Sequence, residues 1–145
     1  MKNQSFLAIV FLISISCFSQ QSRFYADPRE KFKEAKEYFQ KDEYSLAYPL
    51  FKELQQSIRE TDKADNPITS QEINYYTIVC ELKQNEGRAE EKALRFIDME
   101  KNSARVEMIS FHLGEYYYRQ QKFADAADQY EKTNIANLSN REIAD

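Results

Sequence analysis

Few side chains in this 145-residue chain have the types and spacing that chemistry requires. His112 is the only histidine, and a metal site needs three or four ligands, which the neighbouring sequence does not supply. Several carboxylates fall at helix-surface spacings, which are typical of a solvated face and not of a catalytic acid and base. These carboxylates are Glu90, Glu91, Asp125, Asp128 and Glu131. The only two glycines form no glycine-rich phosphate loop, and no Gly-x-Ser-x-Gly turn occurs. We therefore predict no catalytic residue, no metal, no cofactor and no small-molecule substrate, and we expect no enzyme.

The charge balance argues against two further classes of partner. The chain carries a formal net charge of −4, and a mildly acidic surface disfavours both nucleic acid and anionic membranes.

Because apolar residues recur at three- and four-residue steps and no strand-like alternation appears, the sequence predicts an all-α fold.

The elements that position these side chains are clearest between residues 109 and 132. One helical face collects Ile109, His112, Leu113, Tyr116 and Tyr117. The next collects Phe123, Ala126, Ala127 and Tyr130. The polar residues 119–122 between them suffice only for a tight connection, so the two helices must run antiparallel. Small side chains at Gly114 and Ala126 then allow the helix axes to approach closely.

The same spacing of small and aromatic residues occurs three times. Steps of three, nine and four residues lead through Gly114, Tyr117, Ala126 and Tyr130. Identical steps lead through Ala35, Tyr38, Ala47 and Phe51. A more divergent middle copy follows Thr77, Cys80, Ala89 and Ala93. Three copies in one chain indicate a repeat protein.

This pattern resembles the tetratricopeptide repeat family, whose helix pairs carry Leu-Gly, Tyr, Ala and Phe or Tyr at these intervals. The chain departs from the family in its middle copy and in lacking the opening Trp and the closing proline of each repeat. The resemblance implies an α-α superhelix, a solenoid of about three antiparallel helix pairs within residues 20–145. The implied repeat-packing residues are Ala35, Tyr38, Ala47, Phe51, Cys80, Ala89, Leu113, Gly114, Tyr117, Ala126 and Tyr130. Cys80 takes the place of a motif tyrosine, so we expect it to be buried and inert.

The resemblance further implies a concave groove lined by the first helix of each pair. We expect this groove to bind a peptide or helix of a partner protein, because exposed aromatic side chains beside Lys and Arg favour such contacts. The expected partner-binding residues are Lys36, Phe39, Gln40, Asn74, Glu115, Tyr118 and Arg119. The register places Asn74 in line with Phe32 and Phe111, and it adds Ile78 and Glu81 to the same groove. Alternatively, Phe39 and Tyr118 pack between neighbouring repeats.

Local signals set several helix boundaries. Asp27 and Pro28 are typical of a helix start, and a second helix is predicted over 44–58 with Leu46 facing inward. Leu94 and Phe123 are likewise assigned to core stripes. The charged residues 59–68 predict the longest loop.

The first 19 residues predict export. They contain Lys2 as their only charge and a long apolar run, which is typical of a secretory signal peptide. Cleavage before Gln20 would leave a chain with a net charge of −5, since only Lys2 is lost. In a second interpretation Cys17 becomes a lipid-modified N-terminus. Either way we expect a location in the periplasm or at the outer membrane, with membrane association only through lipidated Cys17 or a partner.

The C-terminal residues predict a further helix. Ser139 and Glu142 form a capping box shortly before the sequence ends, whereas a solenoid normally closes with a helix whose outer face is polar. We therefore expect residues 20–145 to be the N-terminal part of a longer solenoid. A short chain with a frayed end is the alternative.

Together these features predict an exported protein-protein interaction scaffold of the bacterial cell envelope. The chain also resembles exported bacterial tetratricopeptide proteins described as components of TonB-dependent uptake systems, which implies a place in such a complex. The alternative is a structural or assembly segment that packs on further repeats, or self-associates, without a separate ligand.

Overall fold

The computed structural model describes residues 27–60 and 70–134, and both ranges are helical without any strand. The helices are α1 (Pro28–Gln40), α2 (Tyr44–Glu60), α3 (Ser70–Lys83), α4 (Ala89–Met99), α5 (Ser103–Arg119) and α6 (Phe123–Tyr130). The all-α fold predicted from the sequence is therefore confirmed. None of these helices has the length and apolar character needed to cross a membrane. The predicted signal peptide, most of the loop predicted over 59–68 and the helix predicted after Ser139 lie outside the described residues. Residues 59 and 60 are part of α2 and not of that loop.

Each helix pair is joined by the same kind of turn. Asp42, Asn85 and Gln121 adopt left-handed φ angles of 58°, 57° and 62°. In all three turns this residue donates its N–H to the carbonyl three positions earlier, and the next N–H reaches the carbonyl five positions earlier. These bonds satisfy carbonyls that the end of a helix would otherwise leave unpaired. Residues 27–60 and 70–134 thus form three helical hairpins, α1–α2, α3–α4 and α5–α6.

The middle hairpin differs from the other two in the length of its connection and in the position of its turn, which is shifted by one residue. Three residues connect α1 to α2 and α5 to α6, whereas the five residues 84–88 connect α3 to α4. Counted back from the turn, Ile78 and Glu81 occupy the places of Ala35 and Tyr38. Sequence spacing had assigned those places to Thr77 and Cys80. Since one residue rotates a helical face by about 100°, the structure corrects the predicted register of α3 by that angle.

The core consists of two clusters with α3 between them. Ile73 and Cys80 of α3 pack with the buried side chains of α1 and α2, which are Phe32, Ala35, Ala47, Phe51 and Leu54. Its other buried apolar residues, Ile78, Val79 and Leu82, pack with α4, α5 and α6. An apolar surface on nearly every side is typical of a helix that is buried all round. α3 is therefore the central helix of the fold.

Several local predictions can be checked directly. Asp27 Oδ1 accepts a hydrogen bond from the Arg29 N–H at 2.8 Å and caps α1, as predicted. The inward orientation predicted for three apolar residues is wrong, because Leu46, Leu94 and Phe123 are 51%, 40% and 59% exposed. Each lies on the second helix of its hairpin. Neighbouring helices bury a smaller part of the apolar face of these second helices than the sequence predicted.

We expect Gly114→Ala to destabilise the fold. A Cβ at Gly114 would lie 2.6 Å from Cε1 of the Tyr130 ring, and overpacking of this kind costs about 1–3 kcal/mol. The gain in helix propensity is about 1 kcal/mol, so the free energy of unfolding should fall by up to about 2 kcal/mol in urea titrations. Gly87→Ala is the matched control, because a Cβ at Gly87 would meet no atom within 4 Å. A Gly114→Ala variant as stable as the wild type would contradict the close approach of α5 and α6.

Candidate functional site

A groove of about 710 Å³ lies between α2, α3 and α4. The longer connection after α3 accompanies it, since α3 and α4 contact each other less extensively than α1 and α2 do. Amide groups line it at Gln55 and Asn74, and cations at Lys52, Lys92 and Arg95. Apolar surface comes from Ile73, Ile78, Phe96 and Met99. The groove therefore combines hydrogen-bonding, charged and apolar contacts in one concavity.

A buried carboxylate lies at the floor of this groove. Glu81 is fully buried, and its Oε1 accepts hydrogen bonds from the Tyr48 hydroxyl at 3.0 Å and from Lys92 Nζ at 2.6 Å. Burying a charge is costly unless it is paired and hydrogen-bonded, and Lys92 supplies that pairing. Burial, and then the hydrogen bond to Glu81, raise the pKa of Tyr48 to about 12. The contact joins α3 to the preceding hairpin.

A second Tyr–Glu contact joins the second hairpin to the third. Here the later hairpin supplies the tyrosine and the earlier one the glutamate. The Tyr117 hydroxyl of α5 donates to Oε1 of Glu90 in α4 at 3.0 Å. Lys122 Nζ lies 3.5 Å from the same carboxylate and 5.3 Å from the centre of the Tyr117 ring. Burial, and then Glu90, raise the pKa of Tyr117. We call these two contacts the Tyr–Glu seams: the earlier hairpin supplies the tyrosine in the first seam and the glutamate in the second.

The predicted partner-binding residues of α1 lie mainly around the ring of Tyr76. Phe39 is half-buried, with its ring centroid 4.9 Å from that of Tyr76. Lys36 Nζ lies 5.5 Å from the centre of the same ring and 3.9 Å from Glu72 Oε1. Gln40 is exposed at the end of α1. Phe39 thus packs between hairpins, which is the alternative that the sequence left open.

Asn74 faces the groove instead of the side on which Lys36 and Phe39 lie. Its Oδ1 accepts a hydrogen bond from Gln55 Nε2 at 3.3 Å. Counted from the turns, Tyr75 takes the place in α3 that Asn74 was expected to share with Phe32 and Phe111. The one-residue shift of the middle hairpin is the physical reason for this difference.

Glu115 and Arg119 fasten α5 to the end of α3. Glu115 Oε2 accepts a hydrogen bond from Lys83 Nζ at 2.8 Å and lies 2.9 Å from Nδ1 of the buried His112. Burial alone would raise the pKa of Glu115, but the hydrogen bonds to His112 and Lys83 outweigh it and hold the pKa below its usual value. Arg119 Nη2 donates to the Leu82 carbonyl at 2.9 Å. Glu115 and Arg119 therefore stabilise the packing of the third hairpin against the second.

Tyr118 is the predicted partner-binding residue with the most exposed ring. Its side chain is 60% exposed and meets the ring of Phe123 edge-on at a centroid distance of 5.5 Å. The residues expected to form one groove are therefore divided among the surroundings of Tyr76, the groove between α2, α3 and α4, the α3–α5 contact and the α5–α6 end.

The predicted packing residues are buried or half-buried. The packing residues on α2, α4 and α6 are buried, with the exception of Tyr130. Ala35, Leu113, Gly114 and Tyr117 are buried as well. Tyr38 and Tyr130 keep partly exposed rings. Cys80 is fully enclosed, and burial, followed by the charge of Glu81, raises the pKa of its thiol to about 12.

Sequence reasoning placed Glu81 in the groove but missed its burial. One signal could have found it: Glu81 is the only charged residue within the apolar run from Ile78 to Leu82. A lone carboxylate in such a run must be paired if the run is buried. Within the described ranges, no group of three or more His, Cys, Asp and Glu side chains could hold a metal ion.

Comparison with known proteins adds no relative: no protein-family model, no curated protein and no solved structure matches the chain.

The first Tyr–Glu seam predicts a pH dependence of stability. Because the folded pKa of Tyr48 exceeds its usual value of 10.0, its contribution to stability is complete below pH 10 and is lost as the pH rises from 10 to about 12. Tyr48→Phe should therefore show a shallower loss of unfolding free energy across this window, measured by urea titration at each pH. Tyr118→Phe, at an exposed ring, is the control. Identical slopes for Tyr48→Phe and the wild type would refute the seam.

Phe39 and Tyr118 should differ sharply in their effect on folding. Phe39→Ala removes a half-buried ring that touches its neighbours in α2 and α3, so the free energy of unfolding should fall by about 2–3 kcal/mol. Tyr118→Ala removes a largely exposed ring and should change it by no more than about 0.5 kcal/mol. Denaturant unfolding followed by circular dichroism measures both. Equal losses in the two variants would contradict the placement of these rings.

Proposed function

We propose that the protein is an exported scaffold of a bacterial cell envelope, in which tetratricopeptide-like hairpins stack into an α-α superhelix and bind a segment of a partner protein. The observation that carries this proposal is the groove between α2, α3 and α4. Its volume of about 710 Å³ lies within the range of known ligand sites. The proposal differs from the sequence-based expectation in the surface it uses: of the residues expected in the concave groove, Asn74, Ile78 and Glu81 of α3 line this groove, whereas those of α1 and α5 do not.

The groove chemistry suits an extended peptide segment. The amides of Gln55 and Asn74 can pair with the backbone of a peptide, which carries one donor and one acceptor at most residues. Met99 is 74% exposed at the groove and offers a flexible apolar contact.

The charges favour a segment that contains a carboxylate. The lining cations Lys52, Lys92 and Arg95 outnumber the two lining carboxylates by one, and of these cations Lys92 pairs with Glu81 and Arg95 with the exposed Glu91 outside the groove lining. Those carboxylates, Glu81 and Glu100, are already held in salt bridges by Lys92 and Arg105. An acidic side chain flanked by an apolar one therefore complements the groove.

Export is supported by the apolar segment of residues 1–19, and a place in a TonB-associated uptake complex is implied by the sequence resemblance alone. A second function, an assembly segment without a separate ligand, is favoured by the exposed rings of Tyr118 and Phe123.

The test is capture of a partner followed by measurement of groove variants. The full chain, expressed with its own N-terminal residues and a C-terminal tag, is used as bait in an envelope extract. The bound segment is mapped by crosslinking and synthesised as a peptide. We expect Met99→Ala combined with Arg95→Glu to weaken binding of this peptide at least tenfold, because both the apolar and the charged contact are removed. Leu46→Ala, an exposed apolar residue that does not line the groove, is the matched control.

Two outcomes would contradict the proposal. Equal affinity of the groove variant and the control would place binding elsewhere on the molecule. Recovery of the protein from the cytoplasm with residues 1–19 intact, determined by fractionation and mass spectrometry, would refute export.

A further inference from the structure

The carboxylate of Glu81 uses only one of its two oxygens within the described part of the chain. Oε1 accepts both of its hydrogen bonds, from the Tyr48 hydroxyl and from Lys92 Nζ. Oε2 is buried and accepts no hydrogen bond from any described residue. A buried acceptor without a donor is costly, and folded proteins therefore pair nearly all such groups. Because Glu81 lines the groove between α2, α3 and α4, a bound molecule can supply a donor to Oε2.

The charges around Glu81 favour an uncharged donor. Lys92 Nζ lies 2.6 Å from Oε1 and already balances the charge of the carboxylate. A cation on the bound molecule would also meet Lys52 and Arg95, which line the same groove, and like charges repel. A neutral O–H or N–H group hydrogen-bonds to an ionised oxygen without adding charge. The donor that suits Glu81 is therefore neutral.

The donor must also be small. The side chain of Glu81 is only 1% exposed, so the contact has room for little more than one polar atom. The side chain of Lys92 is 41% exposed, and a small shift of so flexible a side chain widens access to the carboxylate. Ser and Thr carry a hydroxyl on a short side chain, whereas the amides of Asn and Gln bring a second polar atom that needs its own partner. A hydroxyl therefore fits best.

Lys52 supplies a second contact beside the same tyrosine. Its Nζ lies 6.0 Å from the centre of the Tyr48 ring, and the hydroxyl of that ring donates to Glu81. The other two lining cations already pair with glutamates, whereas no carboxylate among the described residues pairs with Lys52. Lys52 is thus the groove cation best suited to a carboxylate of a bound segment. Because Lys52 and Glu81 lie around one tyrosine side chain, residues one or two positions apart in an extended peptide can reach both.

We propose that the groove recognises a segment in which Ser or Thr lies one or two residues from Asp or Glu. The hydroxyl donates to Glu81 Oε2, and the carboxylate pairs with Lys52. This inference rests on the function proposed above and deepens it, since it names the two side chains of the bound segment that the groove selects.

Four short peptides test this recognition on the full chain. Each is labelled with fluorescein and contains Asp, Thr and Leu between alanines, with Asp and Thr either adjacent or separated by Leu, in both orders. Binding is measured by fluorescence anisotropy. We expect the tightest of the four to lose at least tenfold in affinity when its Thr is replaced by Val, which has nearly the same shape and no hydroxyl. Replacing its Asp by Asn should weaken binding at least fivefold, and added salt should reduce that difference.

Two variants of Glu81 assign the hydroxyl contact. Glu81→Leu combined with Lys92→Met replaces a buried ion pair by apolar side chains of similar size, an exchange that folded proteins often tolerate. This double variant should abolish the preference for Thr over Val. Glu81→Gln keeps an oxygen that can accept from Tyr48 but removes the charge, so the preference should fall at least threefold. Circular dichroism checks that both variants fold.

A matched pair of lysine variants assigns the carboxylate contact. Lys52→Met removes the charge and keeps most of the side-chain length, and it should abolish the preference for Asp over Asn. Lys33→Met changes an exposed lysine that does not line the groove and should leave this preference unchanged.

Equal affinity of the Thr and Val peptides for the wild-type protein would refute the contact with Glu81. If Met99→Ala combined with Arg95→Glu still weakened both peptides, the groove would remain the binding surface and only the hydroxyl recognition would fail. A preference for Thr that survives both Glu81 variants would also refute the contact. Absence of binding by all four peptides up to millimolar concentration, with a folded protein, would overturn the inference, whereas the proposed function is tested separately by capture from the envelope extract.

Discussion

The burial of α3 on two sides is the constraint on which the other features of this protein depend. Its apolar side chains point in too many directions for a surface helix, so one hairpin must cover each of two sides. The ring of Tyr76 marks the first contact, and Val79 and Leu82 mark the second. What remains of α3 is a polar strip at Asn74 and Glu81, and this strip becomes the floor of the groove.

The position of the turn after α3 explains why the middle hairpin differs from its neighbours. The turn comes one residue later relative to the motif alanine than in the outer hairpins, which places Glu81 where the outer hairpins have tyrosine. A carboxylate at that place requires a hydroxyl donor and a cation nearby, and Tyr48 and Lys92 provide them. A one-residue shift of the turn thus places a buried ionic contact where the outer hairpins have a tyrosine.

The sequence predicts those features that depend on local chemistry. The cap at Asp27 and the close pairing of Gly114 with Tyr130 follow from residues a few positions apart or from one hairpin. The orientation of Leu46 cannot be predicted from nearby residues, because it depends on how far the next hairpin covers α2. The placement of Asn74 fails for a similar reason: a one-residue shift in a turn is invisible in the spacing of motif residues. The groove itself arises from the separation of helices, which no single segment encodes.

The exchanged residue types of the two Tyr–Glu seams have a consequence for the order of the hairpins. The first hairpin offers a tyrosine to its successor, and the third offers a tyrosine to its predecessor. If the third hairpin docked directly on the first, the hydroxyls of Tyr48 and Tyr117 would meet without a carboxylate to accept their hydrogen bonds. The middle hairpin is the adaptor that carries a glutamate toward each neighbour, Glu81 on one side and Glu90 on the other. The two Tyr–Glu seams therefore favour one order of hairpin stacking and disfavour misassembly between copies of the chain.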